Sequence, residues 1–167
     1  MSRTPRFSSK LAYDFHEGCV VLVRTEFFEA AANNDLETIK KCIGKGYDIN
    51  TQDSDDELVT ALHVASRNGY TDMTRLLLEK GADVDLGDCY GHTPLFFACE
   101  HGHADVVRLL LEAGADPAIR ETENNETPEE RLRTSCRAPA RERILRLLRK
   151  HQTVPNNEGH VGPRPGM

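Results

Sequence analysis

The sequence has no tryptophan, few other aromatic residues and no long apolar run. Aromatic residues make up 6% of the 167 residues and apolar residues 38%, which is below the apolar share of typical globular chains. Bulky side chains that fill a sandwich or barrel are therefore scarce, which argues against an all-β fold. No apolar run exceeds five residues, as in 19–23, whereas a membrane-spanning helix needs about 20.

Cysteine pairs with metal-binding or redox spacing are also missing. The five cysteines are odd in number and irregularly spaced, and no CxxC occurs. This argues against a disulfide framework and a zinc ribbon, and it favours reduced thiols inside a cell. The N-terminus is basic but has no apolar segment behind it, unlike a secretory signal. We therefore expect an intracellular protein, in the cytoplasm, the nucleus or both.

Positive charge is scarce in the middle of the chain. Residues 25–119 carry seven Lys and Arg against eighteen Asp and Glu, a net charge of −11, while residues 120–167 carry ten against seven. Phosphate binding requires Lys and Arg, so the middle segment is not expected to bind nucleic acid. Its acidity favours a protein partner with a basic or mixed apolar and basic surface.

A repeat of 33 residues is the strongest signal in the chain. Residues 60–83 and 93–116 agree over a whole period, which indicates a repeat architecture. The shared positions pair Ala65 with Ala98, Gly69 with Gly102, 76–79 with 109–112 and 81–83 with 114–116. Weaker copies lie upstream at an offset of 35, with two extra residues in the acidic stretch 53–57, and downstream at offsets of 34 to 38.

Each copy is predicted to be a helix, a turn, a second helix and a loop. In the third copy Thr93 can cap a helix that begins at Pro94, where a missing N–H costs nothing. Gly102 can end this helix with a positive φ, and Gly114 can end the next one. No single copy can close its own core, so the apolar faces must be buried between neighbouring copies. Leu77 and Leu110 are predicted to lie there.

Residues 88–116, with Gly91, Thr93-Pro94-Leu95 and Gly102-His103, resemble an ankyrin repeat nearly throughout, and residues 60–85 are similar. The resemblance covers about 25–151. It implies an all-α fold, an α-solenoid of about four helix-turn-helix-loop repeats at 25–57, 58–90, 91–124 and 125–151. The repeat domain would span 21–151, between a partly disordered N-terminal tail at 1–20 and a disordered C-terminal tail at 152–167. Two points stay open: whether 11–23 is ordered, and whether the fourth repeat is fully folded.

The sequence also lacks the motifs of common catalytic and metal sites. No nucleophile elbow, HExxH, P-loop or dinucleotide-binding fingerprint occurs. A calcium loop that started at Asp48 would have Asp53 in place of its glycine and Val59 in place of its glutamate. His101 and His103, near His92 and Cys99, suggest zinc, but a helix-turn-helix junction with imidazoles bonded to backbone is favoured. We therefore expect no enzyme activity, no cofactor, no metal and no small-molecule substrate.

The last helix carries an apolar stripe and many arginines. Such a helix can bind acidic membranes, nucleic acid or a partner groove. The favoured interpretation is that it caps the solenoid, with its leucines inside and its arginines in water.

A separate candidate is Asn50. The family resemblance implies that an asparagine at this loop position can be hydroxylated, and the alternative is that its amide only binds loop backbone.

The resemblance implies that a partner binds the loop tips and the inner face of the first helices. The protein is predicted to be a monomeric, non-enzymatic interaction module, an adaptor or scaffold. Two alternatives remain: a regulatory or inhibitory subunit of an enzyme, and an adaptor tethered by its basic helix. The predicted contact residues are Asp56, Glu57, Val59, Arg67, Asn68, Cys89, Tyr90, His92, Glu100, His101, Glu123, Asn124 and Glu126. Tyr90 is expected at the centre of an acidic rim that also includes Asp88 and Glu121.

Overall fold

The computed structural model describes residues 26–54, 56–135 and 138–152. Within these ranges the protein has eight helices and no β-strand, only a single β-bridge between Asp53 and Val59. The all-α class and the solenoid of about four helix pairs are confirmed. The helices are α1 (26–32), α2 (Leu36–Gly44), α3 (Ala61–Asn68), α4 (Thr71–Glu79), α5 (Pro94–His101), α6 (Ala104–Glu112), α7 (Pro128–Ser135) and α8 (Ala138–Gln152).

The helices form two layers. Helix α5 packs against α3 on one side and α7 on the other, while α6 packs between α4 and α8. The first helix of each pair therefore lies in one layer and the second helix in the other. Buried side chains from all four pairs join a single core, which includes Phe27, Leu77, Leu110 and Leu148. The fourth pair forms both of its helices, although α7 is short and polar.

The predicted helix ends are confirmed at the third pair. The Thr93 hydroxyl accepts a hydrogen bond from the N–H of Phe96, Pro94 is the first helical residue, and Gly102 ends α5 at φ 77°. The second pair also has a threonine cap at the start of its first helix and a glycine at the end, with one addition. Thr60 and His63 form a reciprocal capping box, in which the imidazole accepts from the Thr60 N–H at 3.0 Å.

Core packing follows the repeat. Leu77 and Leu110 are fully buried, as predicted, and so is Cys99. The two small residues Ala65 and Ala98 are also fully buried in the layer of first helices, where their size lets neighbouring helices approach closely. Because each pair buries its apolar face only against its neighbours, the pairs depend on one another for stability.

Three hairpin tips project from the N-terminal ends of α3, α5 and α7. We define tip 1 by the described residues 53–54 and 56–59, tip 2 as 88–92 and tip 3 as 121–126. Tip 1 contains the two extra residues noted in the sequence, and it turns through Glu57 and Leu58, both at positive φ (52° and 62°). The predicted N-terminal tail and the segment 11–23 lie outside the described residues. Of the predicted C-terminal tail 152–167, Gln152 is the last residue of α8 and the rest lies outside the described residues, so the tails and the domain boundaries stay predictions.

Candidate functional site

Backbone hydrogen bonds hold the three tips in one row. The N–H of Cys89 donates to the carbonyl of Glu57 at 2.9 Å, which joins tip 2 to tip 1. The N–H and the hydroxyl of Thr122 both donate to the carbonyl of Tyr90, at 2.8 and 2.7 Å, which joins tip 3 to tip 2. Residues about 33 positions apart in the chain thus become neighbours on one continuous edge.

A carboxylate organises each of tips 2 and 3 from within. Asp88 accepts hydrogen bonds from the N–H groups of Tyr90 and His92, both at 2.9 Å, and its other oxygen lies 3.0 Å from His92 Nδ1. Glu121 accepts from the N–H groups of Glu123, Asn124 and Glu126. Burial alone would raise the pKa of Glu121, but these backbone donors hold the pKa below its usual value.

The acidic rim is therefore smaller than the sequence suggested. Asp88 is 7% exposed and Glu121 is 2% exposed, so both carboxylates serve the loop backbone and are not open to a partner. Val59 is a second correction: it is 2% exposed and belongs to the core, so it cannot be a contact residue. Its place at the base of tip 1 explains this, because the β-bridge to Asp53 turns its side chain inward.

Tyr90 lies half-buried at tip 2 among negative groups. Its hydroxyl is 3.5 Å from Glu57 Oε1, and its ring centroid is 5.7 Å from that of His92. The charge of Glu57, followed by that of Cys89, raises the pKa of Tyr90, and Glu123 adds to the effect. Cys89 beside it is exposed, as are Glu123 and Asn124 on tip 3.

Leu58 is a surface residue that the sequence analysis missed. It is 40% exposed, and no other large hydrophobic side chain in the described ranges is as open. Its φ of 62° is unfavourable for a leucine, since the left-handed region costs about 1–2 kcal/mol for residues with a Cβ. The signal that could have found it is the repeat register, because the offset of 33 aligns Leu58 with Gly91, which also has a positive φ (77°) at its tip.

The inner face beside the tips is lined by ion pairs. Arg67 lies 4.0 Å from Asp56. Arg131, also missed, places its Nε 3.3 Å from Glu126 and 3.7 Å from Glu100. Its guanidinium carbon lies 5.3 Å from the centre of the Phe96 ring. The predicted residues Glu100 and Glu126 therefore share one internal cation that ties α7 to α5.

Other predicted contacts lie at the far end of the first helices. The Asn68 amide, which is exposed, donates to the carbonyl of Val64 at 2.8 Å. His101 is exposed too, with Nδ1 3.0 Å from the carbonyl of Phe97. These two residues are accessible but stand apart from the tip row, since α3 and α5 run away from the tips.

The histidines bind backbone. His103 Nε2 lies 3.0 Å from the carbonyl of Arg67, and His63 Nε2 lies 3.0 Å from the carbonyl of His92. Burial lowers the pKa of His103, and it lowers the pKa of His63 to about 4. In the part of the chain that the structure describes, no three His, Cys, Asp or Glu side chains are arranged to hold a metal ion.

Asn50 joins two repeats. Its Oδ1 accepts the N–H of Asp83 at 2.8 Å, and Asp85 accepts the N–H of Asp116 at 3.0 Å in the next repeat. The amide thus binds loop backbone, and hydroxylation of Asn50 stays a prediction.

The basic helix α8 buries Ile144 and Leu148 and exposes Arg146 and Arg149. Arg143 pairs with Asp105 of α6 at 2.7 Å, with both side chains more than half exposed. None of the described helices has the length and apolarity to cross a membrane.

Residues 27–121 match the sequence model of the family described as ankyrin repeats, in three copies. This range contains the first three helix pairs and ends at the start of tip 3, and the fourth pair follows it.

Short stretches of this chain are similar in sequence to parts of several curated proteins. The chain is 47% identical over 64 residues to serine/threonine-protein kinase 12 of Arabidopsis thaliana, which covers 38% of this chain and 14% of that protein. It is 44% identical over 71 residues to inversin of Danio rerio, 42% of this chain and 7% of inversin. It is 31% identical over 67 residues to an ankyrin repeat-containing protein of Schizosaccharomyces pombe, 40% of this chain and 31% of that protein. The matches therefore span less than a third of each relative.

Proposed function

Because the chain belongs to the ankyrin repeat family, we propose that it is a non-catalytic adaptor or scaffold that binds one protein partner along the tip row and the adjoining inner face. Ankyrin repeats are generally protein–protein interaction modules and are typically non-catalytic. The kinase activity that one relative's name states belongs to that relative, of which this chain covers 14%.

The observation that carries the proposal is the contrast between framework and tips. The core positions repeat from pair to pair, as Ala65 and Ala98 or Leu77 and Leu110 do. The tips are held in place by backbone hydrogen bonds but differ in their side chains: Glu57 and Leu58, then Cys89 and Tyr90, then Glu123 and Asn124. A rigid row of dissimilar side chains suits recognition, because little ordering entropy is lost on binding.

The chemistry of the row indicates the partner. Acidic side chains surround two apolar groups, Leu58 and Tyr90, so a complementary surface carries Lys or Arg beside apolar residues. We propose that the protein acts as a monomer, in the cytoplasm or nucleus, without a small-molecule substrate. An inhibitory subunit would use the same row, and the identity of the partner distinguishes the two roles.

Affinity capture from cell extract tests the proposal. The wild-type protein is compared with Asp56→Lys/Glu57→Lys in tip 1, and with the control Arg75→Ala, which changes an exposed residue of α4 outside the row. We expect a protein that both the wild type and the control retain and that the tip variant loses. A protein retained equally by all three would show that the partner binds elsewhere.

A further inference from the structure

The inner face contains an arginine site that is already filled. The guanidinium carbon of Arg131 lies over the Phe96 ring, 5.3 Å from its centre, and Nε lies 3.7 Å from Glu100 and 3.3 Å from Glu126. An aromatic face together with two carboxylates is a favourable environment for a guanidinium group, because cation–π attraction adds to the ion pairs. The protein thus holds a cation with one aromatic ring and two carboxylates, a combination that can be sought elsewhere on its surface.

The tip row presents the same set without a cation. Tyr90 lies half-buried, with Glu57 Oε1 3.5 Å from its hydroxyl and Glu123 close enough to act on it electrostatically. Among the described residues, no Lys or Arg forms an ion pair with Glu57 or Glu123, while Asp56 has Arg67 and Glu130 has Arg120. Glu57 and Glu123 are both exposed.

An apolar side chain stands next to this cluster. Leu58 follows Glu57 directly and is 40% exposed. Tip 1 reaches tip 2 through the hydrogen bond between the Glu57 carbonyl and the Cys89 N–H, and tip 3 reaches it through Thr122. The cluster is therefore built from three loops that are fixed relative to one another, and it offers a negative aromatic site with an apolar site beside it.

We propose that Tyr90, Glu57 and Glu123 bind an arginine side chain of the protein partner, and that an apolar residue adjacent to this arginine packs on Leu58. This inference rests on the proposed function and names the group that the tip row recognises. Arginine suits the site better than lysine, since its planar guanidinium can stack on the phenol ring and still donate to both carboxylates. The site is open to water, so the binding weakens as salt is added.

Titration of the full chain with short peptides, followed by amide NMR, tests the assignment. The probes are two acetylated, amidated tetrapeptides, Gly-Arg-Leu-Gly and Gly-Gln-Leu-Gly, with Gly-Lys-Leu-Gly as a third. We expect the arginine peptide to shift the amides of 57, 58, 90 and 123 saturably, and to bind about tenfold more tightly than the glutamine peptide. The lysine peptide should bind between the two.

Variants locate the effect. Tyr90→Ala and Glu57→Gln/Glu123→Gln should each remove the advantage of the arginine peptide. The matched control, Asp72→Asn, neutralises an exposed carboxylate at the start of α4, at the end of the helix pair away from the tips, and should keep the advantage. Melting temperatures of the variants close to that of the wild type confirm that the fold is intact.

Three outcomes overturn the inference. Equal affinity for the arginine and glutamine peptides, shifts spread over carboxylates outside the tips, or an arginine advantage that survives both variants would each show that the cluster is not an arginine site. The capture experiment stands apart from this test. A partner lost by the tip variant, together with equal peptide affinities, would refute the arginine site and leave the proposed function standing.

Discussion

Individual buried polar residues join the repeats at fixed points. His63 accepts from the Thr60 N–H at Nδ1 and reaches the carbonyl of His92 at Nε2, 29 residues away. The ring is therefore held in its neutral form, with Nδ1 as an acceptor, and a proton on Nδ1 would remove that acceptor. His103 makes a similar link from α6 to the carbonyl of Arg67.

The neutral state of His63 makes stability depend on pH. Burial lowers the pKa of His63 from 6.5 to about 4, so the unfolded chain binds a proton between pH 6.5 and 4 and the folded chain does not. The stability associated with His63 is complete above pH 6.5 and falls as the pH drops toward 4, by about 3 kcal/mol. Urea unfolding at pH 7 and pH 4.5 measures it.

His63→Gln is the matched variant, because the amide can still bind backbone but does not titrate. We expect this variant to be less stable than the wild type at pH 7 and to lose less stability between pH 7 and 4.5. An identical pH dependence in the two proteins would show that His63 is not held neutral by the fold.

Two features of the structure require a glycine at position 69. Its φ is 73°, and a Cβ there would lie 2.5 Å from the His103 ring. We expect Gly69→Ala to lose about 1 kcal/mol of stability to the strain of the left-handed region, and about a further 1 kcal/mol from the displaced hydrogen bond of His103. The control Gly81→Ala has a φ of 86° but open space around it, so it should lose the first contribution only. Equal urea midpoints for the two variants would contradict this account.

Whole elements were predicted from the sequence where the determinants are local. Thr93, Pro94 and Gly102 fix the ends of α5 through contacts within four residues, and the 33-residue period places the core leucines. The alignment of the tips was not predicted, because the hydrogen bonds that join them connect residues about 33 positions apart. Leu58 is exposed at the turn position that Gly91 has in tip 2, and Val59, wrongly expected at the surface, is buried beside its bridge to Asp53.

The basic helix α8 either caps the solenoid or tethers the protein, and substitution of its arginines distinguishes the two roles. Leu145 and Leu148 are buried, Arg146 and Arg149 are exposed, and Arg141 is half-buried and donates to the carbonyl of Arg133 at 3.3 Å. We expect Arg141→Gln/Arg146→Gln/Arg149→Gln to leave stability nearly unchanged, since surface charges contribute less than about 1 kcal/mol each. Partner capture should also be unchanged. Loss of the partner with an unaltered melting temperature would favour an adaptor tethered by this helix.

The molecule as a whole is a short stack of helix pairs, and its stability is shared between neighbours. Leu110 is fully buried on α6, which lies between α4 and α8. We expect Leu110→Ala to cost about 2–5 kcal/mol, a large part of the ~5–10 kcal/mol that a domain of this size has. Thermal unfolding measures the loss. The control Leu58→Ala removes an exposed leucine and should leave the midpoint nearly unchanged, whereas an unchanged midpoint for Leu110→Ala would refute the repeat register.

The tip row gives the whole molecule its function in this account, and the affinity of the captured partner for Tyr90→Ala is the measurement that decides it. Calorimetric titration of the purified pair should show binding weaker by about 2 kcal/mol, roughly thirtyfold, while the melting temperature of the variant stays close to that of the wild type. A partner that binds Tyr90→Ala as tightly as the wild type, with or without a fall in melting temperature, would contradict the account and place the working surface elsewhere on the solenoid.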